Sequence, residues 1–252
     1  MKALTMSMSL CLGLLTTAQL IVRPDTSADK LPDFVLWAWE RPENLGFIDP
    51  HNVAVAFLAQ SIDLSRNNVS VYSRLQTLSV PSGTKLVAVV RLTTNSRETP
   101  VFSDRQMETA VENILGVGRV NGVCGIQIDF DATKSERVFY RLLLDTLRSR
   151  LPDSVSLSIT ALASWCISDT WIADLPVDDA VPMLFRLGPD RLQVLRYLQA
   201  GKDFTIPLCR HSIGVSTDEP FPMMAHKRRV YAFSPKPWTK ESFQSLIKEL
   251  DR

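Results

Sequence analysis

Glycine, cysteine and histidine are scarce in this sequence, and neither sign of charge prevails. Of 252 residues, 10 are Gly, 4 Cys and 3 His, and 28 Lys+Arg meet 27 Asp+Glu for a formal net charge of +1. So even a balance lacks the electrostatic footprint of a chain that grips phosphate backbones, which excludes nucleic acid as a partner. His51, His211 and His226 are scattered, and no pair has metal-ligand spacing. Neither a metal nor a cofactor is therefore expected, and no Ser/His/Asp arrangement can be read. No repeat period, no low-complexity tract and no Gly-rich phosphate loop after the first strand is present. With 45% hydrophobic and 22% charged residues, the composition is that of an ordinary globular protein and excludes a disordered or collagen-like chain.

No long hydrophobic run is present either. The apolar stretch around Leu10-Cys11-Leu12-Gly13-Leu14-Leu15 is too short to span a bilayer. Lys2 before it and the small residues Thr16-Thr17-Ala18 after it predict a signal peptide over 1–18, cut before Gln19. The Arg23-Pro24-Asp25 break opposes a buried N-terminal helix, and Leu10 before Cys11 opposes a lipoprotein site. The mature chain is then an exported protein with no transmembrane domain. It keeps Cys124, Cys166 and Cys209, an odd set with no framework or zinc spacing. Cys166 and Cys209 either pair in an oxidising compartment or remain small buried side chains.

Along 19–252, β-type runs alternate with helical patterns. Eight strands are expected at 34–39, 53–64, 85–92, 124–131, 155–162, 180–187, 213–215 and 230–233. The second could begin as helix, and the polar, alternating 69–74 reads as an added hairpin strand. Helices are expected at 103–115, opened by a Ser103/Gln106 capping box and ended by Gly116 and Gly118. Others are expected from Ser135 to Leu151-Pro152, around 191–198, and at 239–250. Strand–helix alternation requires parallel pairing with right-handed crossovers. The fold class is thus α/β, a single-domain (β/α)8 TIM-like barrel. It is trimmed or distorted because crossover helices after the first, second and seventh strands are weak or missing. A doubly wound open sheet is the alternative.

The most informative segment is Gly122-Val123-Cys124-Gly125-Ile126-Gln127-Ile128-Asp129-Phe130-Asp131. In a strand, Gln127, Asp129 and Asp131 share one face and Ile126, Ile128 and Phe130 the other. The apolar set must serve the helix side, so the polar set faces the barrel axis and climbs to the C-terminal rim, where catalytic groups collect. Crowded there, two carboxyls cannot easily both ionise; one should hold a proton and the other stay anionic. Glycoside hydrolysis needs that division.

The segment resembles the fourth-strand motif of chitinase-like family 18 glycoside hydrolases, Asp-Gly-x-Asp-x-Asp-x-Glu. That resemblance makes Asp129 the residue that orients the substrate's acetamido group and sets Asp131 where the acid Glu stands. Cys124 and Gln127 replace the two upstream carboxylates, and Asp131 is one methylene short. Met183-Leu184-Phe185-Arg186 echoes the family's sixth-strand Met-x-Tyr-Asp. A closer likeness, extending over nearly the whole mature chain, is to bacterial domain-of-unknown-function family 3142. It is carried by the run Ile126 to Asp131, by Leu157-Ser158-Ile159-Thr160-Ala161-Leu162-Ala163-Ser164-Trp165-Cys166, and by Leu175-Pro176-Val177 with Val181 to Arg186. It implies the fold and a periplasmic or secreted setting, and no activity.

Strand ends supply the other candidates. Trp37, Trp39 and Trp165 are candidate sugar platforms; Arg91 and Arg186 can hold acidic or hydroxyl groups; Gln127, Met183 and the reserve acid Glu40 complete the set. Each Trp can instead be core, and the two Arg can instead neutralise Asp129 and Asp131. The basic run His226-Lys227-Arg228-Arg229 reads as a solvated loop. The expected ligand is a carbohydrate or other small polar molecule at the rim. Two functions follow: a glycoside hydrolase acting on an envelope or environmental glycan, or a non-catalytic glycan-binding or assembly module on the same barrel.

Overall fold

The computed structural model describes residues 31–220 and 228–250. The expected leader over 1–18 lies outside them. The strands are β1 (Phe34–Ala38), β2 (Glu43–Asn44), β3 (Val53–Ser65), β4 (Asn68–Ser73), β5 (Leu78–Ser79), β6 (Leu86–Thr94), β7 (Val123–Asp129), β8 (Ser156–Leu162), β9 (Asp179–Met183), β10 (Ser212–Ser216) and β11 (Arg229–Phe233). Eight of them, β1-β3-β6-β7-β8-β9-β10-β11, pair in parallel in that order, and β11 returns to β1. The ring is closed, which rules out the open sheet. The second barrel strand is extended from its first residue, and β4 is the antiparallel hairpin partner of its C-terminal half.

Helices α1 (Asp104–Val117), α2 (Arg137–Arg150), α3 (Arg191–Gln199) and α4 (Lys240–Leu250) follow β6, β7, β9 and β11. The Ser103/Gln106 capping box is formed in both directions, and α1 runs through Gly116 to cap at Gly118. Among the described residues no helix follows β1, β3 or β10, and β8 is followed only by a single 3-10 turn, Thr170–Ile172. The outer side of β1 is covered from elsewhere. Leu45 and Ile48 lie in the same packed layer as Leu36 and Ala38, and Phe47 meets Phe243 of α4 at 6.1 Å. None of the helices described is long and apolar enough to cross a membrane.

Strand alternation divides the apolar residues into two layers. Between barrel and helices lie Val55, Ala88, Val90, Ile126, Ile128, Leu157, Ile159, Ile213 and Ala232. Inside the ring lie Val35, Trp37, Ala54, Ala56, Val87, Val89, Val181 and Tyr231. Trp37 is the largest interior filler and needs small neighbours. A Cβ added at Gly214 of β10 would lie 2.9 Å from its ring, so the glycine leaves the room the indole occupies. Trp37 Nε1 donates to Gln127 Oε1 at 2.9 Å inside the barrel, while Gln127 Nε2 meets no acceptor among the described residues.

Two polar clusters fix the connections. Cys166 and Cys209 are joined by a disulfide that ties the segment after β8 to the segment before β10. Cys124 takes no part in it; its Sγ lies 3.4 Å from the Leu86 carbonyl. The described half of the basic run is not solvated. Arg228 pairs with Asp203 at 2.5 Å with only 8% of its side chain exposed, and Arg229 donates to the carbonyls of Leu31 and Pro32.

Candidate active site

At the C-terminal mouth of the barrel, where the strands end, lies a cavity of about 500 Å³. Its polar wall comes from adjacent strands. Arg91 of β6 is the register partner of Asp129 of β7, and Thr160 of β8 donates its hydroxyl to Asp129 Oδ1 at 2.7 Å. β7 ends at Asp129, two residues earlier than the sequence pattern indicates, so Asp131 stands in the following turn. It lines the same cavity, as do Thr93 and Thr94.

The opposite wall is aromatic. Phe185 and Phe233 stack at 5.7 Å, Trp39 meets Phe233 edge-on at 6.4 Å, and Trp37 meets Phe185 at 6.2 Å. These rings come from the ends of β1, β9 and β11; β1 and β11 are neighbours in the closed ring, and β10 separates β11 from β9. One wall therefore offers ring faces and the other hydroxyls, a guanidinium and two carboxyls. A ligand with an apolar face and a hydroxylated edge is matched by such a pair.

Both carboxyls are pushed above the ordinary carboxylate range. For Asp129 burial is the main cause; the Thr160 hydroxyl opposes it, the Asp131 charge adds to it and Arg91 opposes it. For Asp131 burial again leads, with Arg91 in opposition. The sequence argument gives one protonated and one anionic partner; the structure raises both. Desolvation in the mouth acts on each, and Arg91 does not offset it for either.

Seven of the ten candidate residues line this cavity: Trp37, Trp39, Arg91, Asp129, Asp131, Met183 and Arg186. Three do not. Gln127 is fully buried beneath the floor, engaged with Trp37. Glu40 is exposed and contributes nothing to the lining. Trp165 is 3% exposed and packs edge-on against Trp171 at 5.1 Å in the outer layer. It lies beyond the end of β8, in a turn that folds back under the helices.

Arg186 is not the partner of the aspartates. β9 ends at Met183, so Arg186 lies in a loop, with a φ of 53° that side chains other than glycine rarely adopt. Its backbone N–H donates to Glu219 at 3.1 Å, and its guanidinium pairs with Asp218 at 2.7 Å and with Glu219. That clamp holds the strained residue at the rim and leaves Arg91 as the cation facing Asp129 and Asp131. Thr160, Phe185 and Phe233 are cavity residues outside the ten candidates. Thr160 had a signal, since Ser156, Ser158 and Thr160 alternate along one strand; Phe185 had its place at the Tyr of the Met-x-Tyr-Asp echo, and Phe233 only its position at the end of the eighth strand.

Residues 82–184 match the model of a family described as Domain of unknown function (DUF3142). The match runs from before β6 to just after β9 and so carries both aspartates; it is shorter than the likeness over nearly the whole mature chain that the sequence runs suggest. No curated protein matches the chain. Among solved structures it is similar to the spore cortex-lytic enzyme SleL of Bacillus cereus, at 16% identity and a TM-score of 0.45, over 72% of this chain and 50% of that one. It is also similar to the chitinase domain of the spore coat protein CotE of Clostridium difficile, at 13% identity and a TM-score of 0.40, over 66% of this chain and 52% of that one. The chain spans about half the length of each.

Proposed function

We propose that this protein is an exported, glycoside hydrolase-like barrel acting on an envelope or environmental glycan. The observation that carries the reading is a pair of carboxyls, Asp129 and Asp131, both pushed upward by burial and facing a wall of Trp39, Phe185 and Phe233 across one cavity. Asp131, with no hydroxyl bound to it among the described contacts, gives its proton to the glycosidic oxygen. Asp129, held in place by Thr160, orients the substrate and supports positive charge as the bond breaks; water then adds to the anomeric carbon and returns a proton to Asp131. Trp39 and the stacked phenylalanines receive the apolar face of the sugar, and Arg91 its hydroxyls. The Cys166–Cys209 bond supports export, since disulfides persist in oxidising compartments.

A second reading, a glycan-binding module without turnover, is favoured by one detail. Gln127, at a position where the family 18 motif has a carboxylate, is committed to Trp37 and closed off from the cavity. The mature chain tested on aminosugar and neutral polysaccharides separates the two. Turnover abolished by Asp131→Asn, with far-UV circular dichroism unchanged, supports hydrolysis; binding without turnover that survives the substitution supports the module. Absence of both turnover and binding across the panel refutes the glycan reading in either form.

A further inference from the structure

We propose that the ligand is a linear glycan longer than the cavity, and that the β3–β4 hairpin is its second binding surface, with Tyr72 as the outer platform. This rests on the glycan reading and extends it. β3 has 13 residues and outruns β1, whose last register pair is Ala38 with Phe57. Above that level β4 takes the place β1 leaves, pairing Ser73 with Gln60, Tyr72 with Ser61 and Ser70 with Asp63. Residues paired across strands point to the same face. Ser61 is also the partner of Arg91, and Asp63 that of Thr93, both cavity residues. Tyr72, Ser61, Arg91 and Asp129 are therefore one row across four strands on the cavity side, spanning roughly 14 Å at the usual strand spacing.

The hairpin is built to present that face. Its other side, Val69 and Val71, packs on the main core, and Gln106 of α1 holds the Asn68 carbonyl at 3.0 Å. At its base the Arg74 guanidinium donates to the carbonyls of Trp39 and Arg41, fastening the end of β4 to the end of β1. The aromatic residues Trp37, Trp39 and Tyr72 thus follow one another up a single slot of the sheet. Trp37 is buried, while Tyr72 is 59% exposed. Ser61, Asp63 and Ser70 flank it with groups that bind sugar hydroxyls. A tyrosine held on a backed hairpin, next to hydroxyls and in line with the cavity, suits a sugar ring one or two units away from those at the aspartates.

Binding of chito- and cello-oligosaccharides, from disaccharide to hexasaccharide, measured by calorimetry tests this. For the series that binds, affinity should rise with chain length in the wild-type protein. Tyr72→Ala should lower affinity for the longest member about tenfold and leave the disaccharide unchanged, and Tyr72→Trp should restore the long-chain gain. If Tyr72→Ala follows the wild-type protein at every length, the hairpin surface is refuted while the glycan reading stands. If neither series binds the wild-type protein, both are overturned.

Discussion

Replacing Asp179 by Asn isolates one buried charge at the far end of the barrel from the cavity. Asp179 opens β9 and points inside the ring, 2% exposed. Its Oδ2 accepts from Ser212 at 2.5 Å and lies 4.0 Å from Arg229, whereas Oδ1 meets no hydrogen-bond donor among the described residues. Burial outweighs the help from Ser212, Arg229 and His211, so the carboxyl is pushed from 3.8 up to about 6. In the unfolded chain it titrates near 4, so between these values the folded state holds a proton that the unfolded state has released. Stability from this group is then fully present below about pH 4 and is lost as pH rises through about 6. At roughly 1.4 kcal/mol per pH unit, the loss is about 3 kcal/mol. Asn keeps an acceptor for Ser212 and carries no charge. Urea unfolding followed by tryptophan fluorescence at about pH 4 and about pH 7 should show the variant gaining about 3 kcal/mol on the wild-type protein between the two. A constant offset, such as that from leaving Arg229 without a carboxylate, cancels in this comparison. A stability difference that does not change with pH would falsify the assignment of Asp179 as a buried ionising group.

Three other outcomes follow from the packing. The disulfide closes a separation of 43 residues, so Cys166→Ala with Cys209→Ala should cost about 4 kcal/mol, read as a lower urea midpoint that reducing agent does not lower further. Gly214→Ala forces a Cβ to 2.9 Å from Trp37 and should destabilise by about 1–3 kcal/mol, with a changed tryptophan emission. Trp39→Ala should weaken glycan binding about tenfold with little change in melting temperature, while Trp165→Phe should lower melting temperature and leave binding as it is; the reverse pattern would overturn the placement of these two rings.

The eight strands, the hairpin and the four helices were legible because their signals are local. Near-continuous apolar runs such as 85–92 mark strands covered on both faces. The Ser103/Gln106 pair and the polar alternation of β4 mark a helix start and a half-exposed strand. The inward face of Gln127, Asp129 and Asp131 was equally readable, since a two-residue period must put polar and apolar sets on opposite sides of β7. Strand ends were less so: Asp131 falls beyond β7, which leaves the sheet after Asp129 although β6 continues to Thr94, and Arg186 falls beyond β9, whose pairing ends with Leu162, the last residue of β8; no single segment records either.

Tertiary structure alone decided which strand-end groups meet. Trp39 and Trp165 are the same residue type near the ends of two strands, but one chain turn leads to the mouth and the other doubles back into the helical layer. Arg91 and Arg186 carry the same charge; register sets one beside Asp129, and a loop distant in sequence supplies the acids that hold the other. The composition and periodicity of the chain fix which residues must be buried and which face they share. Which buried group becomes the neighbour of which, and so whether a carboxyl keeps its proton, is set by contacts between segments far apart in the chain.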